Sequence, residues 1–283
     1  MEESERLRVL LIGNGGREHA LAWKLSQSHQ VEAIYIAPGN GGTASGSLRN
    51  VSNISSPKAD DFDGLMKFAK EQKINLVVPG PEAPIVNGVE RHARAAGIRC
   101  FGPTKAAARM EGSKAFSKDF MARHQIPTAQ YQNFDDYGTA KKYLDSVEHN
   151  VVLKASGLAA GKGVIIPSSK TEAHGALEDI MLKKEFGAAG DEVVIEEYLE
   201  GEELSFLTFS DGYTIRSLPP TQDHKRIYDG DEGPNTGGMG CYAPTKIASK
   251  ELIDEVHRTI LQPTIDGMRK EGRQIRYLFE SEC

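Results

Sequence analysis

The chain has 283 residues, 39% of them apolar and 26% charged. That composition excludes a disordered polymer and a membrane-embedded bundle, and the length allows about two domains of ~150 residues. With 34 basic and 40 acidic residues the net charge is −6, so the basic stripe of a nucleic-acid binder is not there. Cys100, Cys241 and Cys283 lie far apart with no metal-like pair, which points to reduced thiols and a cytoplasmic protein. Residues 1–8 are too polar for a signal peptide, and no apolar run approaches the ~20 residues of a spanning helix.

Arg8-Val-Leu-Leu-Ile-Gly13 reads as a buried strand: short, branched and ended by glycine. Ala20, Leu21 and Leu25 share a helical face after it, and Ile34-Tyr-Ile-Ala37 is a second strand running into Pro38-Gly-Asn-Gly-Gly42. Phe62, Leu65, Met66 and Ala69 recur at i, i+3, i+4 and i+7 behind Asp60 or Asp61, a capped helix with one core-facing stripe. Residues 74–78 make a third strand closed by Pro79-Gly-Pro-Glu-Ala-Pro84, and a further helix leads to Ile98-Arg-Cys-Phe101. This alternation predicts a parallel, doubly wound sheet with ligands at the carboxyl ends of its strands.

After about residue 110 the pattern becomes α+β. Phe116 and Phe120 mark an amphipathic helix ended by His124-Gln-Ile-Pro127, and residues 150–154 and 164–166 are short strands around a glycine-rich loop. Thr171 is a candidate cap for a helix carrying Ala173, Leu177, Ile180 and Met181, and residues 193–196 form another strand. Ser210-Asp-Gly212 signals a hairpin between 204–209 and 213–218. Leu252, Ile253, Val256 and Ile260 predict a long terminal helix.

Chemistry concentrates in a few segments. Gly13-Asn-Gly-Gly-Arg-Glu18 stands between strand and helix, where free amides and the helix dipole attract anions. Glu18 takes the place of a dinucleotide fingerprint's third glycine, and the segment also reads as a simple tight turn. Arg17 adds a guanidinium able to clamp a phosphate. The 38–42 and 79–84 loops are expected on the same sheet edge, where together they suggest a pocket and singly only rigid turns.

Ser156-Gly-Leu-Ala-Ala-Gly-Lys-Gly163 joins two strands and is not a P-loop, because its glycine-to-lysine spacing is one short and Gly163 replaces the Ser or Thr. A flap over phosphates fits, with Lys162 and the loop amides near the oxygens and Lys154 at the end of the preceding strand; a surface hairpin is the other reading. Glu196-Glu-Tyr-Leu199 and Glu200-Gly-Glu-Glu203 form an acidic cluster suited to ribose hydroxyls or an adenine amino group, or else a solvated turn. Asp223-His-Lys-Arg226 and the glycine-rich loop 233–240 would suit a carboxylate or acyl phosphate, or be an ordinary mobile loop. The histidines show no zinc or nucleophile–base spacing.

Ile12-Gly-Asn-Gly-Gly-Arg-Glu-His-Ala20, Ala37-Pro-Gly-Asn40, Gly80-Pro-Glu-Ala-Pro84, Glu111-Gly-Ser-Lys-Ala115, the 154–163 segment, Gln222-Asp-His-Lys-Arg226 and residues 233–240 together resemble the glycinamide ribonucleotide synthetases, or phosphoribosylamine–glycine ligases, of the ATP-grasp superfamily. The resemblance runs from about Leu7 to Gly272. It implies an α/β chain: a doubly wound parallel-sheet (pre-ATP-grasp) domain over residues 1–110, then an ATP-grasp α+β unit over 111–283, incomplete at its C-terminus, with a small lid at about 125–196. The implied reaction ligates glycine to 5-phosphoribosylamine through glycyl phosphate at the expense of ATP, giving glycinamide ribonucleotide, ADP and phosphate in de novo purine biosynthesis. Another ATP-grasp carboxylate–amine ligase, or a truncated isoform that binds nucleotide without turnover, are the alternatives. In animals this activity opens a longer multifunctional polypeptide, so the chain is expected to be the leading part of one.

By the same resemblance, Glu196, Leu199 and Glu203 would hold adenine and ribose. Lys114 and Lys154 would face the ATP phosphates under the flap of Gly157, Gly161, Lys162 and Gly163. Gly15, Gly16, Arg17, Glu18, Pro38, Gly39, Asn40 and Glu82 would hold 5-phosphoribosylamine. Asn235, Thr236, Gly237, Gly238 and Met239 would surround glycine and its acyl phosphate, with Lys154, Asp223, Lys225 and Arg226 assigned to the chemistry. The family's Mg²⁺ ligands lie in an acidic segment expected beyond Cys283, so no metal ligand is assigned, and residues 273–283 are expected not to match.

Overall fold

The run Val9-Leu-Leu-Ile12 is almost wholly inaccessible to solvent, as a strand covered on both faces must be. It lies in β1 (Leu7–Gly13), which pairs in parallel with β2 (Val31–Pro38) on one side and β4 (Leu76–Pro79) on the other. The computed structural model describes residues 6–159, 162–230, 232–274 and 278–282; for Pro234, Asn235 and 278–282 it describes the backbone alone. Its contacts divide it into two units, Met1–Ala108 and Arg109–Cys283.

In the first unit α1 (Gly16–Ser26) follows β1, and the short α2 (Gly41–Ala44) and β3 (Val51–Asn53) follow β2. Next come α3 (Phe62–Glu71), then, after β4, α4 (Glu82–Asn87), α5 (Val89–Ala95) and β5 (Arg99–Cys100). The sheet order is β3-β2-β1-β4-β5, with every pair parallel. Strand alternation sends Leu10, Ile12 and Val77 to Leu65, Met66, Ala69, Val89 and Ala93 of α3 and α5. It sends Val9, Leu11, Ile34 and Ile36 to the opposite layer with Ala22 of α1. A fully buried side chain such as Leu65 contributes roughly 1.5–3 kcal/mol. The cap of α3 is Asp61, whose carboxylate accepts the Gly64 amide at 2.9 Å.

The second unit begins with α6 (Arg109–Gly112) and α7 (Lys114–Arg123), capped by Ser113 and burying Ala115, Phe116 and Phe120. β6 (Tyr131–Phe134), α8 (Tyr137–Ser146), β7 (Val151–Ala155), β8 (Val164–Ile165), α9 (Lys170–Met181) and β9 (Val193–Glu197) follow. The strands form an antiparallel sheet in the order β6-β9-β7-β8. Leu153, Ala155, Val193 and Ile195 pack on Leu144 of α8 and on Leu177 and Ile180 of α9. Alternation therefore puts Lys154 and Glu196 together on the other face. The cap of α9 is Ser169, not Thr171: its hydroxyl accepts the Glu172 amide at 3.2 Å, and Thr171 already lies inside the helix.

β10 (Ser205–Ser210) and β11 (Ile215–Ser217) make the predicted hairpin, in which the Asp211 carboxylate accepts the Tyr213 and Thr214 amides at 2.9 and 2.7 Å. Gly233–Gly240, expected as a loop, belongs instead to strand β13 (Glu232–Tyr242), antiparallel to β12 (Gln222–Tyr228). The pairing steps from His224↔Gly240 to Arg226↔Asn235, so residues 236–239 bulge from the ladder, with Gly238 at φ +116°. The terminal helix is not continuous α: a π turn at His257–Leu261 separates α10 (Lys250–Val256) from α11 (Gln262–Lys270). Pro263 follows it and has no N–H to give to the carbonyl four residues earlier. β14 (Leu278–Glu282) pairs with the free side of β10.

Candidate active site

In the first unit the loops after β1, β2 and β4 meet at the carboxyl edge of the sheet. The Gly39 amide donates to the Gly13 carbonyl at 3.1 Å and the Gly80 amide to the Ile12 carbonyl at 2.8 Å. Asn40 caps α2 through its Oδ1, while its Nδ2 donates to the carbonyls of Asn14 and Gly15 at 3.0 and 3.1 Å. Pro38, cis to Ala37, precedes this junction.

Glu18 is 3% exposed and accepts the Gly15 amide at 2.6 Å. A Cβ on Gly80 would lie 2.0 Å from its Oε1, and one on Gly13, at φ +137°, 2.5 Å from its Cδ. Glu18 thus fills the space beneath the loops, which only glycines leave open. Gly15, Gly16 and Arg17 are exposed above it, and Arg17 Nη1 donates to the Gly80 carbonyl at 2.8 Å and to Glu82 Oε1 at 3.1 Å. The Gly15, Gly39 and Gly80 amides are thus taken by Glu18 and by carbonyls, and what faces outward is an exposed turn at Gly15 and Gly16 with one guanidinium, suited to a phosphate.

In the second unit, Glu196 on β9 is 6% exposed and sits between cations. Its Oε1 is in close contact with the Lys154 ammonium. Its Oε2 lies 2.6 Å from Lys118 Nζ without a well-aligned hydrogen bond. Register explains the first contact: Lys154 faces Val194 and Glu196 faces Val152, making the two diagonal neighbours on one face. Lys114 Nζ donates to the carbonyls of Ala155 and Gly157 at 3.1 Å each. Burial, and next the Lys154 charge, hold Lys114 below the usual lysine value of 10.5.

Ser156 pins the root of the loop to α7, accepting the Ala115 amide on its Oγ at 3.2 Å and the Lys114 amide on its carbonyl at 2.8 Å. A Cβ on Gly157 would meet Ala189 Cα at 2.8 Å, and one on Gly163 would meet Ala159 Cβ at 2.6 Å. Lys162 is exposed and bonded to the Ala159 carbonyl only through its own amide, whereas Gly161 lies outside the described residues.

Glu203 is in close contact with the Lys225 ammonium, which brings a predicted nucleotide residue to a predicted glycine residue. Arg226 Nη1 donates to the Gly233 carbonyl at 2.8 Å, and the Thr236 hydroxyl to the Lys225 carbonyl at 2.9 Å. A Cβ on Gly238 would lie 2.9 Å from Asp223 Oδ1, so the bulge approaches this carboxylate. Gly237 is exposed in the same bulge, Met239 and Leu199 are 59% and 62% exposed, and the Asn235 side chain lies outside the description.

Residues 7–111 match the family model described as phosphoribosylglycinamide synthetase, N domain, and residues 112–279 match that of its ATP-grasp (A) domain. The chain belongs to the phosphoribosylglycinamide synthetase family. It is 63% identical over 268 residues to the bifunctional purine biosynthetic protein ADE1 of Schizosaccharomyces pombe, covering 95% of this chain and 34% of that one. It is 50% identical over 267 residues to the phosphoribosylamine–glycine ligase of Salmonella typhimurium, covering 94% of this chain and 61% of the relative. The crystal structure of phosphoribosylamine–glycine ligase from Thermotoga maritima superimposes with a TM-score of 0.81 at 31% identity, covering 97% of this chain and 64% of that one. The chain thus spans about a third of the bifunctional relative and less than two thirds of the others.

The family match continues past Gly272, where the motifs had placed its end, to residue 279 in β14. The motif reading missed Lys118, although it stands one helical turn after Lys114 on α7, the spacing that puts two side chains on one face. Among the described residues no helix is long and apolar enough to cross a membrane.

Proposed function

We propose that this chain binds ATP and ligates glycine to 5-phosphoribosylamine, giving glycinamide ribonucleotide, ADP and phosphate. The observation that carries the reading is the convergence of Lys114 and Lys154 at the root of the 156–163 loop, in a chain of the phosphoribosylglycinamide synthetase family. A carboxylate oxygen leaves poorly; phosphorylation by ATP makes glycyl phosphate, whose carbonyl the ribosyl amine attacks with release of phosphate.

The protein's part is positioning and charge neutralisation. Lys114, Lys154 and Lys162 offset the triphosphate, Gly157 and Gly163 let the 156–163 loop lie close over it, and residues 125–196 serve as the lid that excludes water. Leu199 and Glu203 take the adenine and ribose, with Glu196 behind them. Gly15, Gly16, Arg17, Gly39, Asn40 and Glu82 hold the phosphoribosyl group, and Glu18 sets their loop from beneath. Asp223, Lys225, Arg226 and the 235–239 bulge hold glycine. The cationic donor set fits a triphosphate. Among the described residues no group of three or more His, Cys, Asp or Glu gathers to hold a metal ion; no residue is assigned to Mg²⁺, and the proposed chemistry takes no step through it.

Relatives named as bifunctional and trifunctional purine biosynthetic proteins support a multifunctional polypeptide as the setting of these domains. The free thiols of Cys100 and Cys241 support the cytoplasm as its compartment. The test is ADP release: it is expected only when glycine and 5-phosphoribosylamine are both present. ADP formed only with a different acid would assign another ATP-grasp carboxylate–amine ligase, and nucleotide binding without ADP release would remove the ligase activity from this chain.

A further inference from the structure

Glu196 cannot serve only as a polar contact for a nucleotide. It is 6% exposed, and each carboxylate oxygen is spoken for by a lysine, Lys154 on β7 and Lys118 on α7. The two lysines differ. Lys154 is 28% exposed and lies at the strand end beside the 156–163 loop, free to turn outward. Lys118 is 12% exposed and tethered: its Nζ donates to the Thr128 hydroxyl at 2.6 Å and stands 5.8 Å from the centre of the Tyr131 ring.

An incoming polyphosphate would compete with Glu196 for Lys154. If Lys154 moved to the phosphates and nothing else faced the carboxylate, a buried charge would be left unpaired, a costly state that proteins relieve by taking up a proton. We propose that Lys118 is a positioning residue for nucleotide binding, keeping the buried Glu196 carboxylate paired when Lys154 leaves it for the incoming phosphates. The inference rests on the nucleotide reading of this pocket. The charged and titratable groups around Glu196 are Lys114 and Lys118 on α7, Lys154 on β7 and Tyr131, its register partner on β6, with Glu111 acting on Lys114. Burial, then the Asp119 carboxylate, push Tyr131 up to about 12, so it stays a neutral phenol; Lys114 is held by the Ala155 and Gly157 carbonyls, which leaves Lys118 as the cation fixed against Glu196.

The test is titration calorimetry of a non-hydrolysable ATP analogue at neutral pH in buffers of different ionisation enthalpy, which counts protons taken up on binding. The full 283-residue chain is compared with K118M and K118R, with thermal melting as the check on folding. Wild type is expected to bind with no proton uptake at Glu196. K118M is expected to bind about 30-fold or more weakly, the usual loss when one partner of a buried charge pair is removed, and to take up about one proton per nucleotide. K118R, which keeps the charge, is expected to recover most of the affinity and abolish the uptake. Affinity lost without proton uptake, or K118R as weak as K118M, would mean that Lys118 only supports the fold and would overturn the proposal. A wild-type chain that binds no nucleotide would remove the nucleotide reading and this inference with it, a result distinct from normal binding by K118M.

Discussion

In the first unit the candidate ligand edge is shaped by packing, in the second by charge. The loops after β1, β2 and β4 keep their places because Glu18 fills the room left by Gly13 and Gly80 and because Asn40 bonds back to Asn14 and Gly15. The group beside the 156–163 loop keeps its place because Lys118 and Lys154 share one buried carboxylate and Lys114 leans on two carbonyls. The difference teaches where each region should fail. A packed glycine edge breaks when an atom is added, whereas a charge cluster breaks when one sign is removed and its response shows in ligand affinity more than in folding.

The largest effect is expected from Gly13→Ala. The new methyl would lie 2.5 Å from Glu18 Cδ, on a backbone at φ +137°, and overpacking combined with an unfavourable dihedral costs roughly 3 kcal/mol. Urea unfolding should show that loss, and it should change little with salt. A variant as stable as wild type would mean that the loops are not held by the fit around Glu18.

Lys154→Ala comes next and probes the other region. Glu196 keeps Lys118, so the unfolding midpoint should move little, while affinity for the ATP analogue falls about 30-fold, or about 2 kcal/mol. Calorimetry at two salt concentrations reads both affinity and its salt dependence, which should weaken with the charge gone. Unchanged affinity would take the phosphates away from Lys154 and with them the contrast between the two regions.

How much of this was legible in the sequence depends on how far apart the interacting residues lie. β1 and its two parallel neighbours are short branched runs that end at Gly13, Pro38 and Pro79, and a strand buried on both faces announces itself locally. β3 was not legible, since Val51-Ser-Asn53 gains its strand character only from pairing with β2. β13 was hidden by its glycines, which argue against a strand until β12 lies beside it. In the candidate site, the glycine loops and the lysines at 154 and 162 stood out by type and spacing, and Lys114 only through the family resemblance. The packing of Glu18 against Gly80 and the bridge from Lys118 on α7 to Glu196 on β9 did not, because each requires segments far apart in the chain to be neighbours first.

The smallest effect on folding is expected from Arg17→Ala, and its smallness makes it informative. Arg17 and Glu82 are 58% and 45% exposed at their side chains and 3.1 Å apart, and such a surface pair contributes ~0–1 kcal/mol after solvent screening. The bond from Arg17 to the Gly80 carbonyl is equally open to water, so the variant should unfold within about 1 kcal/mol of wild type. If the exposed Gly16 backbone and this guanidinium together receive a phosphate, affinity for ribose 5-phosphate should nevertheless drop about tenfold, because charge-assisted bonds to an anion are stronger than the pair they replace. A drop in affinity at unchanged stability would give the first unit one charged contact on an otherwise packed edge. Equal affinity for wild type and variant would leave that edge to its backbone amides alone and make the contrast with the lysine cluster complete.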